Sequence, residues 1–267
     1  MLRDITIGQY FPGNSLIHRL DPRFKIVITL IYIVMLFWGR NYICLAIGAV
    51  YTFGAIMLSR IPLKMFFKSV KPLLPFLLIT AVLNLLLMSS GEPLWQWKFL
   101  KITDDGLNTA VFMIVRIVLL IMGTSLLTYT TSPITLTDAI ERLLSPLRKV
   151  KFPVHELAMM MSIALRFIPT LIEETDKIMS AQKARGAEID TGGFTTRAKN
   201  LISILVPLFI SAFRRADELA TAMECRCYHG GEGRTRLRQL RSGLRDYIAL
   251  AVTILFLVGV IILGRLF

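Results

Sequence analysis

Apolar residues run almost unbroken from residue 24 to residue 58, interrupted only at Gly39-Arg40-Asn41. One bilayer crossing needs about 20 residues, so this stretch predicts a helical hairpin with a short first arm. Asp21-Pro22 in front of it supplies a capping acceptor followed by proline at the first helical position, which fixes the helix start. Lys71-Pro72 opens a third apolar run ending near Met88, residues 106–130 give a fourth, and residues 247–264 a fifth. Arg116 falls inside the fourth, where an isolated charge is costly, so it must reach an interface or a polar partner on another helix.

Between the fourth and fifth runs the pattern becomes amphipathic. Ile140, Leu143, Leu144 and Leu147 recur at helical spacing and predict a short helix over 135–149. Pro153 precedes a second, 154–184, apolar through Leu157, Met161, Leu165 and Ile168 and strongly polar from Glu173-Glu174 onward. A polar, glycine-flanked turn at 194–197 leads to a third, 196–226. The apolar stretches 154–172 and 201–213 make poor spans: the first carries Arg166 and Pro169, and the second is short with Pro207 near its middle. They read as long amphipathic helices that pack on the membrane underside and on one another. The fold class is all-α membrane protein with about five transmembrane helices. Residues 1–131 hold four of them, 132–245 form a block of long amphipathic helices, and 246–267 supply the last.

Composition supports the bilayer. Hydrophobic residues make up 54% of the 267, and mean hydropathy is +0.61. The net charge of +13 is unevenly spread. Residues 132–245 hold 18 Lys/Arg against 12 Asp/Glu, and residues 60–71 hold four basic residues and no acid. The segment 89–106, between the third and fourth runs, has two Lys and three acids. Basic residues gather on the cytoplasmic side of membranes, so the N-terminus, the 60–71 loop and the 132–245 block are expected inside. Anionic lipid, rather than nucleic acid, is the simpler partner for the basic excess. Cys44, Cys225 and Cys227 are too few for a disulfide framework and suit a reduced compartment. The residues before Phe24, with Asp4 and no continuous apolar run, do not resemble a cleaved signal peptide.

Two arginine-centred stretches sit 41 residues apart, Ala184-Arg185-Gly186 and Glu224-Cys225-Arg226-Cys227, each closing a helical pattern. Arginine at a helix C-terminus is favoured by about 0.3–1 kcal/mol through the unsatisfied carbonyls alone. The alternative is a guanidinium left unshielded by small neighbours at a helix tip, free to enter a pocket on another protein. Cys225, Cys227 and His229 invite a zinc reading, but a structural site wants four ligands, and His18 and His155 bring no supporting cluster. Gly230-Gly231-Glu232-Gly233 lacks the lysine and hydroxyl of a phosphate loop. The run Arg234, Arg236, Arg238, Arg241 and Arg245 reads as a headgroup anchor before the last span. No catalytic constellation, nucleotide motif or cofactor site emerges. An energy source therefore belongs to another chain; a membrane-embedded enzyme or an autonomous secondary carrier is the alternative.

The chain resembles the transmembrane T component of energy-coupling factor (ECF) transporters, ABC-type importers of vitamins and trace metals. The resemblance rests on Leu20-Asp21-Pro22-Arg23-Phe24-Lys25, Arg166-Phe167-Ile168-Pro169, Ala181-Gln182-Lys183-Ala184-Arg185-Gly186, and the segment from Arg215-Ala216-Asp217-Glu218-Leu219-Ala220 into Ala222-Met223-Glu224-Cys225-Arg226. It implies a scaffold in the cell membrane, with its coupling domain on the cytoplasmic side. Two cytosolic ABC ATPase subunits would carry ATP and Mg. A membrane S component, or one of an interchangeable pool, would capture the vitamin or other micronutrient. It also implies that Arg185 and Arg226 each dock into one ATPase, with Ala184, Gly186, Glu224, Cys225 and Cys227 around them. The family's Ala-Arg-Gly becomes Cys-Arg-Cys in the second motif, which leaves the end of that helix to be determined.

Overall fold

Asp21 begins the first helix as its sequence predicts. In the computed structural model, which describes residues 10–39, 41–87, 93–97, 100–150, 152–186, 193–231, 240 and 242–266, its backbone is extended and its carboxylate accepts the Arg23 N–H at 2.9 Å. From there α1 runs Pro22–Trp38, α2 Tyr42–Ser59, α3 Leu63–Val70 and α4 Leu74–Leu87, the last two joined by a single tight turn at Lys71–Leu73. An antiparallel ribbon of β1 (Pro93–Trp97) and β2 (Leu100–Thr103) follows, with Trp97 opposite Leu100. The remaining helices are α5 (Asp104–Thr130), α6 (Pro133–Leu143), α7 (Val154–Ala184), α8 (Phe194–Glu224) and α9 (Leu244–Leu266). The helical class is as expected; the ribbon is an addition.

The chain divides into two units, one comprising Gly8–Leu136 with Leu240–Phe267 and the other Thr137–Gln239. In the first, α1 packs against α9, α5 and α2. Tyr32, Met35 and Leu36 of α1 meet Cys44 and Leu45 of α2, Leu119 of α5 and Val260 of α9 in one buried cluster. The Tyr32 phenol donates to Leu119 O at 2.7 Å and meets the Thr52 hydroxyl at 2.7 Å, so its polar tip is satisfied inside apolar surroundings. A Cβ at Gly123 would lie 2.2 Å from the Tyr32 ring, so only glycine admits this crossing. A second cluster gathers Ile56, Ile61, Phe66, Val70, Leu77, Met122 and Tyr129 around α3.

The first and last helices are tied at their N-terminal ends. Asp246 accepts the Asp21 N–H at 2.8 Å and the Gly243 N–H at 2.7 Å, while Arg23 grips the Asp21 carboxylate at 2.8 Å and Leu240 O at 2.9 Å. Two buried carboxylates thus sit where helix N-termini favour negative charge. Lys25, also buried, donates to Thr130 O at 2.9 Å and Thr131 Oγ1 at 3.3 Å, capping the end of α5.

Several expectations change. The basic segment 60–71 is helical over α3, with Phe66 fully buried and Lys64 and Lys68 exposed, because its apolar residues fall on one face. The helix predicted to reach Lys149 stops at Leu143, since proline at 146 disfavours the α conformation before it and a tighter turn takes over at Ser145–Val150. The turn assigned to 194–197 is the opening of α8, which starts directly after Gly193. Among the described residues, five helical segments are long and apolar enough to cross a bilayer by length and composition, the expected number. α7 is one of the five, beside α2, α3 with α4, α5 and α9, while α1 keeps the short length read for it, 17 residues. Arg116 finds its polar partner: its guanidinium donates to Gly39 O and lies 4.6 Å from the Phe112 ring centroid. Arg234, Arg236, Arg238 and Arg241 lie outside the described residues.

Candidate functional site

The two arginine motifs occupy the second unit, at the ends of its 31-residue helices. α7 ends at Ala184. Arg185 closes the last turn, its N–H reaching Ala181 O at 3.2 Å and Gln182 O at 3.1 Å; Gly186 then turns left-handed at φ +86° and donates to Lys183 O at 3.0 Å. This is the glycine terminator that the sequence announces.

At the second tip α8 ends at Glu224, and Cys225 and Arg226 continue the turn. Cys227 takes the left-handed conformation at φ +54°, donating to Glu224 O at 2.9 Å, and Tyr228 N–H reaches back to Met223 O at 3.1 Å. These paired bonds form a complete Schellman motif with cysteine where glycine is customary. A left-handed backbone costs a residue with a Cβ about 1–2 kcal/mol. The altered second motif therefore keeps the terminator geometry of the first, against the residue preference. Arg185 and Arg226 each stand one residue before a left-handed position, and Ala184, Arg185, Gly186, Glu224, Cys225, Arg226 and Cys227 are all exposed. Among the described residues no hydrogen bond or ion pair engages either guanidinium, and no group of three His, Cys, Asp or Glu is placed to hold a metal.

Two rungs show how α7 and α8 lie together. Gln182 Nε2 donates to Ser203 O at 3.3 Å, and Arg215 Nη2 pairs with Glu174 Oε2 at 2.8 Å. Partners that fall along one helix as they rise along the other define an antiparallel pair. Arg226 lies 23 residues beyond the Ser203 rung, about 35 Å along the axis at about 1.5 Å per residue. The two tips consequently point away from opposite ends of the pair.

The Ser203 rung has a specific cause. Pro207 has no N–H, so the carbonyl four residues earlier, that of Ser203, loses its helical donor; the Gln182 amide supplies one instead. The first arginine motif is thereby fastened to the proline of the other helix. The sequence shows a proline at 207 inside the helix predicted over 196–226, but nothing in the chain announces which side chain would meet the carbonyl it leaves without a donor. Asp246 was missed for the same reason, since its partner Asp21 lies 225 residues away.

Along α8 a wide apolar face is exposed, including Ile202, Leu205, Phe209, Ile210 and Phe213. On α7 the exposed apolar residues include Met160 and Met161. Faces of this breadth mark surfaces that meet lipid or protein. α6 joins this unit through Glu141, whose Oε1 lies 3.1 Å from His155 Nδ1 on α7.

Comparison with known proteins agrees with this architecture. A family described as cobalt transport protein, CbiQ, matches residues 13–237. The energy-coupling factor transporter transmembrane protein EcfT of Ruminiclostridium cellulolyticum is 52% identical over 267 residues, the whole of both chains. Its counterpart in Clostridium kluyveri is 56% identical over 267 residues, all of this chain and 98% of the relative. That of Bacillus subtilis is 46% identical over 263 residues, 96% of this chain and 99% of the relative. With five apolar helices of spanning length and identity of this order from end to end, the chain belongs to the EcfT family, the transmembrane proteins of energy-coupling factor transporters.

Proposed function

We propose that the chain is the scaffold and coupling subunit of an ECF-type importer, converting the motion of two cytosolic ATPases into reorientation of a substrate-binding S component. The observation that carries this reading is the matched pair of exposed arginine tips at opposite ends of an antiparallel helix pair. With Arg185 three residues past the same rung in the opposite direction, the tips stand about 40 Å apart along the pair, which suits one tip for each of two ATPase subunits. Each guanidinium presents a planar fork to acceptors in a groove, and the small or exposed neighbours leave it accessible. When the ATPases close on ATP, the tips are drawn toward one another and the pair yields at Pro169 and Pro207, where backbone bonds are missing. The apolar faces of α7 and α8 hold the S component and tip it, so that vitamin or micronutrient is released to the cytosol. Catalysis stays on the partner chains, with ATP and Mg, and the α7–α8 unit faces the cytoplasm.

Replacing Arg185 and Arg226 together by glutamate is expected to abolish uptake and recovery of the ATPases while the chain still inserts in the membrane. Undiminished recovery would sink the assignment. Reconstituting the purified chain alone tests the enzyme and carrier alternatives: turnover or transport without any ATPase contradicts the scaffold reading.

A further inference from the structure

Between α1, α2, α5 and α9 lies a partly open cavity of about 570 Å³, wholly inside the membrane unit. α2 and α9 run antiparallel and touch at two rungs, Cys44 Sγ to Val260 O at 3.6 Å and the Tyr51 and Thr253 hydroxyls at 2.9 Å. Beyond the second rung they part: Leu58 of α2 and Ile248 and Val252 of α9 line the cavity and are exposed. α2 and α9 both have the length and composition of spanning helices, so a gap with exposed apolar residues between them suits lipid as its medium.

The walls are almost entirely apolar, and every hydroxyl on them is already engaged within the protein, the Tyr32 phenol at the inner end with Leu119 O. Buried water needs two to four polar partners, and along the apolar shaft the hydroxyl hydrogens are already spent on protein oxygens. Gly54 borders the space, and a Cβ built on it meets nothing within 4 Å. The end nearest the α9 start is charged. Arg245 is exposed and unpaired among the described residues, and Lys25 lines the same cavity, bonded to carbonyl and hydroxyl oxygens. Asp21 and Asp246 lie close enough to act on the Lys25 charge, but both accept from backbone N–H groups and Asp21 is held by Arg23, so among the described residues Arg245 is left at this end without a carboxylate.

We propose that this cavity is a lipid site, taking one acyl chain laterally between α2 and α9 and holding its anionic phosphate headgroup beside Arg245. A dry apolar shaft with a cationic end matches an anionic phospholipid in both parts, whereas a zwitterionic one leaves the excess charge unanswered. This reading is independent of where the ATPases dock.

The test is native mass spectrometry of the assembled complex in mild detergent, with lipid identified after extraction. Wild type is expected to retain one phospholipid, anionic by at least fivefold over zwitterionic. Gly54→Phe, which fills the shaft, is expected to lower occupancy at least fivefold with the complex still assembled, and Arg245→Gln to keep a lipid but lose the anionic preference. No retained lipid in wild type, or Gly54→Phe retaining as much as wild type, overturns the proposal. A second measurement covers a variant that fails to assemble: wild type in phosphatidylcholine vesicles carrying a phosphatidylglycerol with a photoreactive acyl chain. Crosslinks concentrated on residues 50–58 and 248–256 support the site, and crosslinks spread evenly over the spanning helices contradict it.

Discussion

Cys227 carries a left-handed backbone that glycine adopts without strain, and the complete Schellman bonding around it shows that the surrounding turn imposes this conformation. Cys227→Gly is therefore expected to stabilise the α8 terminus by about 1 kcal/mol. Slower amide exchange at Tyr228, whose N–H closes the motif, is the readout; faster exchange there contradicts the strain argument. The converse substitution, Gly186→Ala, should loosen the first tip by a similar amount. Between α1 and α9, Asp246→Ala removes the acceptor for the buried Asp21 amide and the exposed Gly243 amide, and one of the two buried carboxylates near Lys25. Breaking such a buried arrangement costs about 3 kcal/mol, which thermal unfolding of the purified protein would register as a lower midpoint. An unchanged midpoint would mean that water replaces the carboxylate at no cost. The starting cap at Asp21 was legible in the Asp-Pro pair, because capping is local. Its tie to Asp246 was not, because only the packing of α1 beside α9 brings the two together.

Among the elements, α7 and α8 carry the most information. Their existence and the α7 terminator at Gly186 follow from apolar periodicity and from the residue after the last turn; the α8 terminator, with Cys227 in the left-handed place, comes from the structure. Their register does not, since Gln182 reaches Ser203 only because Pro207 has vacated that carbonyl. Gln182→Ala is expected to cost about 1 kcal/mol by orphaning the acceptor, and to lower uptake with ATPase recovery intact. In a Pro207→Ala background the native helical bond is restored, so Gln182→Ala should then be nearly neutral. A double-mutant cycle on thermal stability reads the difference; equal costs in the two backgrounds would remove Gln182 from the role. The elements that sequence misplaced share one feature, that their pattern was interrupted by proline or charge. α3 hides an amphipathic face under lysines, and α6 is cut short ahead of Pro146.

For the whole molecule, the division into a bundle tied at the α1 and α9 ends and a separate unit of long helices gives each part its own physics. The bundle is held by buried apolar clusters and helix-end charges; the α7–α8 unit keeps wide apolar faces and both arginines exposed. Exposure on that scale implies partners, and the account assigns the tips to the ATPases. The most direct measurement is site-specific crosslinking in intact membranes, with a photoreactive amino acid placed beside each arginine, at Lys183 and at Glu224 in separate variants. Each position is expected to capture an ATPase subunit and to lose that product when its neighbouring arginine is replaced by glutamate. Capture of lipid or of the S component alone at both positions, with the ATPases untouched, would contradict the account.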